Sequence, residues 1–233
     1  MPEIIPIDRS VIPACDVDIE RFKDILRETD AIPRIGAYKL GVTLALSLGL
    51  PKLVEIARNL TNKPLIYDHQ KAGTDIPDMG GAFASVVKES GIDAIIIFPL
   101  SGPETQTAWI QEAKKAGLSV ITGGYMTHKR YVVSEGGYIA DSAVDAMFIN
   151  SALQGISDYV VPGNKPEIIR HLRESLVAHG VDPVFYAPGF IAQGGEISEA
   201  ASVAGAKWHA IVGRAVYDAG DIQKAAESLT SRM

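Results

Sequence analysis

The sequence has few of the residues on which several classes of protein depend. Cys15 is the only cysteine among 233 residues, which excludes an intrachain disulfide and a multi-cysteine metal site. No continuous apolar run approaches the roughly 18 residues of a transmembrane helix, so we predict no membrane partner. Segment 1–15 lacks the basic start and long apolar run of a signal peptide, and we therefore predict a cytoplasmic protein.

The sequence also has fewer basic residues than acidic ones. The chain has 22 lysines and arginines against 28 aspartates and glutamates, which gives a formal net charge of −6. This balance argues against a general affinity for nucleic acid or for acidic membranes, so nucleic acid is not predicted as a partner. It leaves room for a local basic pocket that binds an anionic small molecule.

Short β-rich segments alternate with longer amphipathic segments along the whole chain. Several β-rich segments are continuous apolar runs, which is typical of parallel strands covered on both faces. Eight strand–helix units of about 30 residues each account for nearly the whole chain and predict an α/β fold, a single (β/α)8 TIM barrel domain over 1–233. A doubly wound open sheet is the alternative, but it usually has fewer strands at this length. The predicted strands are 11–15, 35–40, 64–68, 93–98, 118–122, 158–161, 184–187 and 208–212.

Polar residues follow the predicted strands at the end where a barrel of this kind places its active groups. That end is the carboxyl-terminal one, because the loops that follow the strands build the site. The polar residues near these strand ends are Asp16, Lys39, Asp68, Lys71, Thr127, Gln193 and Arg214.

The densest polar cluster, "YDHQKAGTDIPDMGG" over 67–81, follows the third predicted strand. It has three interpretations, of which the first is an exposed polar loop. The second is a divalent metal site with Asp68, His69 and Asp75 as ligands. In the third, carboxylates keep Lys71 protonated, and Lys71 acts as a general acid towards a developing carbanion while Asp68 destabilises a substrate carboxylate. The residues alone leave all three open.

Two glycine-rich loops indicate a phosphate site. Gly213 and Arg214 follow the last strand in "VGRAVYD", and three glycines surround Gln193 in "APGFIAQGGEISEA". Helix amino-terminal amides and an arginine fork both favour a dianion, and barrels often bind phosphate with the loops after strands seven and eight. Either loop alone could be a simple turn, but the two together favour a phosphorylated substrate.

The order of the motifs resembles the orotidine 5′-phosphate decarboxylase family. The matching segments are "ACDVD", "IGAYKLGVTLAL", the Asp–Lys–Asp-Ile-Pro series, "GGYMTHKRY", "VVPGNKPEII", "PGFIAQGG" and "IVGRAVY", in family order over nearly the whole chain. The resemblance implies decarboxylation of orotidine 5′-monophosphate (OMP) to UMP and carbon dioxide in de novo pyrimidine biosynthesis. It implies no metal and no organic cofactor.

The resemblance also implies a role for each matching position. Lys71 would protonate the pyrimidine carbanion, Asp68 would face the departing carboxylate, and Lys39 would hold Asp68 and the ribose in place. Asp75 would reach into the active site of a second copy, which implies a homodimer with shared sites. The implied substrate contacts are Asp16 at the ribose, Thr127 at the pyrimidine, and Gln193, Gly213 and Arg214 at the phosphate, together with Lys39, Ile76 and Pro188.

The polar cluster departs from the family pattern in its spacing. The family's usual Asp-x-Lys-x-x-Asp-Ile-Pro has one residue fewer in each gap than the motif over 68–77. One extra residue in an extended strand reverses the side-chain face, so Asp68 and Lys71 converge only if the chain leaves the strand or bulges between them. Met79 stands where the family commonly has threonine.

Two alternatives remain beside the decarboxylase. One is a magnesium-dependent sugar-phosphate aldolase resembling hexulose-phosphate synthase, which uses a similar Asp–Lys–Asp core; the "PGFIAQGG" and "DIP" motifs favour the nucleotide enzyme. The other is a barrel that binds a nucleotide without catalysis, which the altered spacing suggests.

Overall fold

The predicted barrel is present. A computed structural model describes residues 3–69, 72–191, 196–231 and 233 of the chain. Within them, parallel strands close into a barrel in which each strand pairs with its successor and the last pairs with the first. The strands are β1 (Arg9–Cys15), β2 (Tyr38–Gly41), β3 (Leu65–Asp68), β4 (Ala94–Ile97), β5 (Ser119–Gly123), β6 (Asp158–Val160), β7 (Val184–Pro188) and β8 (Trp208–Val212).

All eight predicted strands are confirmed, and the largest difference lies at β2. Segment 35–40 was predicted, but the strand begins only at Tyr38. Ile35 forms an isolated bridge to Val11, and the continuous ladder to β3 starts at Tyr38. The segment before Tyr38 therefore pairs with β1 only through the bridge at Ile35 and is not part of strand β2.

Helices separate the strands and cover the outside of the barrel. The first begins where the Asp18 side chain accepts a hydrogen bond from the Arg21 amide at 2.8 Å, which satisfies one of the free amides of a helix start. The helices are α1 (Ile19–Thr29), α2 (Val42–Leu48), α3 (Leu50–Arg58), α4 (Met79–Glu89), α5 (Pro103–Lys115), α6 (Asp141–Leu153), α7 (Pro166–Ala178), α8 (Glu199–Val203), α9 (Arg214–Tyr217) and α10 (Ile222–Thr230). In the described part of the chain, none of them is both long enough and apolar enough to cross a bilayer. The cytoplasmic location stays a prediction.

Side chains along each strand alternate between the barrel interior and the layer beneath the helices. In β4 and the residue after it, Ala94, Ile96 and Phe98 belong to the interior cluster, whereas Ile95 and Ile97 pack in the outer layer. Because successive residues of a strand point to opposite faces, a strand buried on both sides reads as a continuous apolar run. This is why runs such as "DAIIIF" predict strands of a covered parallel barrel.

A buried histidine, His209, lies in β8 at the amino-terminal side of the barrel. Its Nδ1 is 2.7 Å from the Ser10 hydroxyl, and its ring packs against Tyr186 with 4.8 Å between centroids. The side chain is buried, and burial lowers the pKa of His209 from 6.5 to about 3. The native protein therefore holds this imidazole neutral at pH values where an exposed histidine is charged.

We expect acid to destabilise the protein through His209. Between pH 6.5 and pH 3 the unfolded chain binds a proton at this position and the native protein does not. The stability that the neutral ring provides is complete above about pH 6.5 and falls as the pH is lowered, by about 2 kcal/mol between pH 7 and pH 5. Urea unfolding at several pH values measures this slope, which His209→Asn should reduce. His179→Asn, at an exposed histidine, should keep the wild-type slope; equal slopes in all three proteins would contradict the prediction.

Candidate active site

Three charged side chains meet at the carboxyl-terminal mouth of the barrel. Asp16, Lys39 and Asp68 each lie two residues after an apolar member of the interior cluster. The strand alternation that points those apolar residues inward also points the charged ones inward, one step closer to the mouth. Three neighbouring strands thereby place two acids and one base around a single opening.

Lys39 is the centre of this group. Its Nζ lies 2.9 Å from Asp68 Oδ2 and 3.5 Å from Asp16 Oδ2, and Lys39 and Asp68 are each only 6% exposed. Burial alone would lower the pKa of Lys39, but the charges of Asp68 and Asp16 outweigh it and hold that pKa above its ordinary value. Lys39 is therefore a fixed cation at neutral pH, and it orients both carboxylates.

Gly41 makes the position of Asp16 possible. A Cβ atom at Gly41 would lie 1.8 Å from Asp16 Oδ1, so any side chain there would displace the carboxylate. Glycine is the residue that permits such a close approach of side chain to backbone. The last residue of β2 thus leaves the space that the acid after β1 occupies.

The charged group borders a pocket of about 330 Å³ in the barrel mouth. One side of the pocket carries the three charges, and the barrel interior supplies an apolar floor. A mainly apolar lining with a few charged groups is typical of small-molecule sites. Six residues predicted from the sequence line this pocket: Asp16, Lys39, Asp68, Thr127, Pro188 and Gly213. Sequence reasoning did not assign a site role to the apolar lining residues Ala14, Ile96, Phe98, Met126, Val160, Val161 and Ile211.

Other predicted site residues do not line this pocket. Asp75 is exposed and lines a separate cavity, and Ile76 is 59% exposed. Arg214 begins α9 directly after the pocket residue Gly213, and its side chain is exposed. Lys71 and Gln193 lie outside the described residues, so their predicted roles stay predictions.

His69 is turned away from Asp68, which contradicts the metal interpretation of this segment. Tyr67 Oη is 2.6 Å from His69 Nδ1, and the His69 ring packs edge-on against Phe83 of α4. His69 and Asp75 line a cavity beside α4, whereas Asp68 lines the pocket in the barrel mouth. The three residues considered as metal ligands are thus divided between two cavities. Asp68 and His69 point to opposite sides because they are consecutive at the end of a strand. Across the described ranges, no three His, Cys, Asp or Glu side chains are grouped to hold a metal ion.

Strand β3 ends at Asp68, the first residue of the motif with the unusual spacing. The Ala72 carbonyl accepts a hydrogen bond from the Phe98 amide at 2.9 Å. Gly73 follows with φ +82°, a left-handed conformation that glycine adopts without strain. From Gly73 onward, strand alternation therefore no longer dictates the side-chain directions.

A polar cluster holds Tyr125, which lines the pocket. Lys165 and Tyr125 both hydrogen-bond the Glu135 carboxylate, and Lys165 Nζ lies 4.3 Å from the centre of the Tyr125 ring. These bonds, chiefly the one from Lys165, hold the pKa of Glu135 at about 2. Asn164 also donates to the Thr127 carbonyl at 3.3 Å, so the loop after β6 braces the pocket segment after β5. Sequence analysis missed this cluster; the signal was a lysine just before α7, where a helix favours negative charge.

Comparison with known proteins gives one family over nearly the whole chain. Residues 10–229 match the model of the orotidine 5′-phosphate decarboxylase / HUMPS family. Similar curated proteins include the orotidine 5′-phosphate decarboxylases of Methanosarcina barkeri and Pyrococcus furiosus, each 30% identical over 221 residues. The first alignment covers 93% of this chain and 92% of the relative, and the second covers 94% and 95%.

Solved structures share the fold. The orotidine 5′-monophosphate decarboxylase of Methanocaldococcus jannaschii, complexed with the inhibitor BMP, superposes with a TM-score of 0.80 over 97% of this chain and 98% of that one. The orotidine 5′-phosphate decarboxylase of Pyrococcus horikoshii OT3 gives a TM-score of 0.77 over 95% and 97%. Both are 24% identical to this chain, a level at which the likeness establishes the fold alone.

Proposed function

Because the chain belongs to the orotidine 5′-phosphate decarboxylase / HUMPS family, we propose that it decarboxylates orotidine 5′-monophosphate to UMP and carbon dioxide. The observation that carries the proposal is the buried Lys39–Asp68 pair in the barrel mouth, in one pocket with Thr127 and Gly213. Curated relatives that match this chain almost end to end have this activity in their names. The product makes the enzyme part of pyrimidine biosynthesis.

The chemical step breaks the bond between the pyrimidine ring and its carboxylate. Carbon dioxide leaves, and the bonding electron pair stays on the ring carbon as a carbanion. Asp68 faces the substrate carboxylate, and the repulsion between the two is relieved as carbon dioxide forms. Lys71 then donates a proton to the ring carbon, acting as a general acid without a metal or organic cofactor.

The remaining site residues hold the nucleotide in place for this step. Asp16 contacts the ribose from the charged rim, and Thr127 contacts the pyrimidine from the segment after β5. The loops after β7 and β8 bind the phosphate through Gln193, Gly213 and Arg214, as barrels of this type often do. Binding energy from the phosphate end then orients the reacting end of the substrate.

Loss of OMP absorbance in the presence of purified protein tests the proposed function. We expect turnover by the wild type and a loss of about 100-fold or more in kcat for Lys71→Ala, because the carbanion loses its proton donor. The substitution Lys52→Ala, at an exposed lysine of α3, serves as the matched control and should leave kcat unchanged. Undetectable turnover by folded wild-type protein that binds UMP tightly would identify a non-catalytic nucleotide-binding barrel instead.

Chelation separates the decarboxylase from the aldolase alternative. The family model includes the HUMPS group, and the resemblance to hexulose-phosphate synthase implies a magnesium-dependent reaction. The decarboxylase should turn over OMP at the same rate with and without EDTA. The aldolase would instead leave OMP unchanged and cleave a hexulose phosphate at a rate that collapses in EDTA and returns with magnesium.

The exposed Asp75–Ile76 segment supports a homodimer with shared sites. Asp75 borders a wide, mainly apolar cavity that Leu50, Met79 and Val86 also line. Met79 and Val86 are exposed, and an apolar surface of this kind on a monomer often marks an interface. In the proposed dimer this surface meets its copy, and Asp75 and Ile76 enter the partner's pocket.

Mixed dimers test this sharing. We expect Lys71→Ala and Asp75→Ala homodimers to be nearly inactive, since every site lacks one of the two groups. A mixed dimer purified through two different affinity tags has one site with both groups, so it should show about half of the wild-type activity. No activity in a well-folded mixed dimer would count against shared sites.

A further inference from the structure

Helix α5 holds the backbone of the Asp75–Ile76 turn. The Thr105 hydroxyl donates a hydrogen bond to the Asp75 carbonyl at 2.9 Å, and the Trp109 indole donates to the Ile76 carbonyl at 3.1 Å. The two donors lie four residues apart on α5 and therefore on the same face of the helix. Two consecutive peptide groups of an otherwise exposed turn are thus bonded to one rigid element.

Both donors are deeply buried, which makes the turn stiff. Thr105 is 3% exposed and Trp109 is 5% exposed. Trp109 packs against Phe83 with 4.9 Å between ring centroids, and a Cβ atom at Gly80 would lie only 3.0 Å from the indole ring. A shift of the turn would leave two buried donors without hydrogen-bond partners, which opposes such a shift.

The Asp75 carboxylate is oriented by the same turn. Its Oδ1 accepts a hydrogen bond from the Ile76 amide at 2.7 Å, so the direction of the carboxylate follows the backbone that α5 holds. Neither Thr105 nor Trp109 lines the pocket in the barrel mouth. Their hydrogen bonds to the turn therefore lie outside that pocket.

We propose that Thr105 and Trp109 are positioning residues that fix Asp75 for use in the active site of the partner subunit. This inference rests on the proposed function, because it requires the sites to be shared. In the shared arrangement, α5 of one subunit controls the geometry of the other subunit's site. Misplacement of a reacting group by about 1 Å can cost about 100-fold in rate, so loss of one of the two bonds should cost about tenfold.

The mixed dimer shows on which side these residues act. In the Lys71→Ala/Asp75→Ala mixed dimer, the Lys71→Ala chain supplies Asp75 and the Asp75→Ala chain supplies the lysine. Thr105→Val removes the donor with little change of shape; in the chain that supplies Asp75 it should lower kcat about tenfold. In the chain that supplies the lysine, the same substitution should change kcat by less than about twofold, because that chain's turn carries no acid. Thr105→Ser in the Asp75-supplying chain keeps the hydroxyl and should keep the activity.

The outcomes distinguish a failure of the positioning role from a failure of the shared sites on which it rests. A mixed dimer that is active without further substitution, but responds equally to Thr105→Val in either chain, would overturn the positioning role alone. A mixed dimer that is inactive without further substitution would overturn the shared sites and the inference with them. Trp109→Phe provides the second variant, and it should show the same asymmetry between the two chains. Thermal unfolding of every dimer establishes that it is folded at the assay temperature.

Discussion

Asp68→Asn is expected to lower kcat for OMP by about 100-fold or more, while the Michaelis constant does not rise. Asparagine keeps the shape of aspartate but removes the negative charge beside the substrate carboxylate. If Asp68 acts by repelling that carboxylate, its removal relaxes the bound substrate and leaves affinity equal or higher. Steady-state kinetics separate the two constants, and calorimetry with UMP, which has no carboxylate, should give an affinity near the wild-type value.

Asp24→Asn is the matched control for this prediction. Asp24 lies on α1 in an exposed pair with Arg27, so its loss should leave kcat unchanged. A kcat within about tenfold of wild type for Asp68→Asn would contradict the assignment. A large rise in the Michaelis constant with unchanged kcat would instead make Asp68 a simple binding residue.

Lys39→Met is expected to lower the free energy of unfolding by about 3 kcal/mol. Methionine has a similar length but no charge, so it removes the ammonium group that two carboxylates share. Asp16 and Asp68 then face each other across the mouth without that charge between them. The raised pKa of Lys39 means that its contribution is complete below its ordinary pKa and is lost only as the pH rises above it. Urea unfolding at pH 7 therefore measures the whole effect.

A double variant and an exposed pair provide the controls. Lys39→Met combined with Asp68→Asn should recover part of the lost stability, because one of the facing charges is also removed. Lys52→Met breaks an exposed pair with Glu55 and should cost no more than about 1 kcal/mol. Equal losses for Lys39→Met and Lys52→Met would show that the buried pair contributes nothing beyond a surface pair.

The metal interpretation of the polar cluster treats neighbours along the chain as neighbours in space. Asp68, His69 and Asp75 form a compact group of possible ligands in the sequence, yet they line two different cavities. The same strand geometry that correctly predicts Asp68 at the mouth turns His69 to the helix side. A sequence motif gives residue order, whereas ligand geometry depends on the direction of each side chain.

The sequence by itself determined the barrel and the charged rim of its mouth. Apolar runs of strand length, repeated at a spacing of about 30 residues, predict eight covered strands, and the polar residues that end them predict Asp16, Lys39 and Asp68. These features depend on local alternation and on chain order, which the sequence contains directly. Only the tertiary structure decided which residues hold the site segments in place. Lys165 hydrogen-bonds Glu135 and Tyr125, and Thr105 and Trp109 hydrogen-bond the Asp75–Ile76 turn. Those contacts join residues about 30 or more positions apart with no repeating pattern, so they exist only once the barrel has closed and brought its loops together.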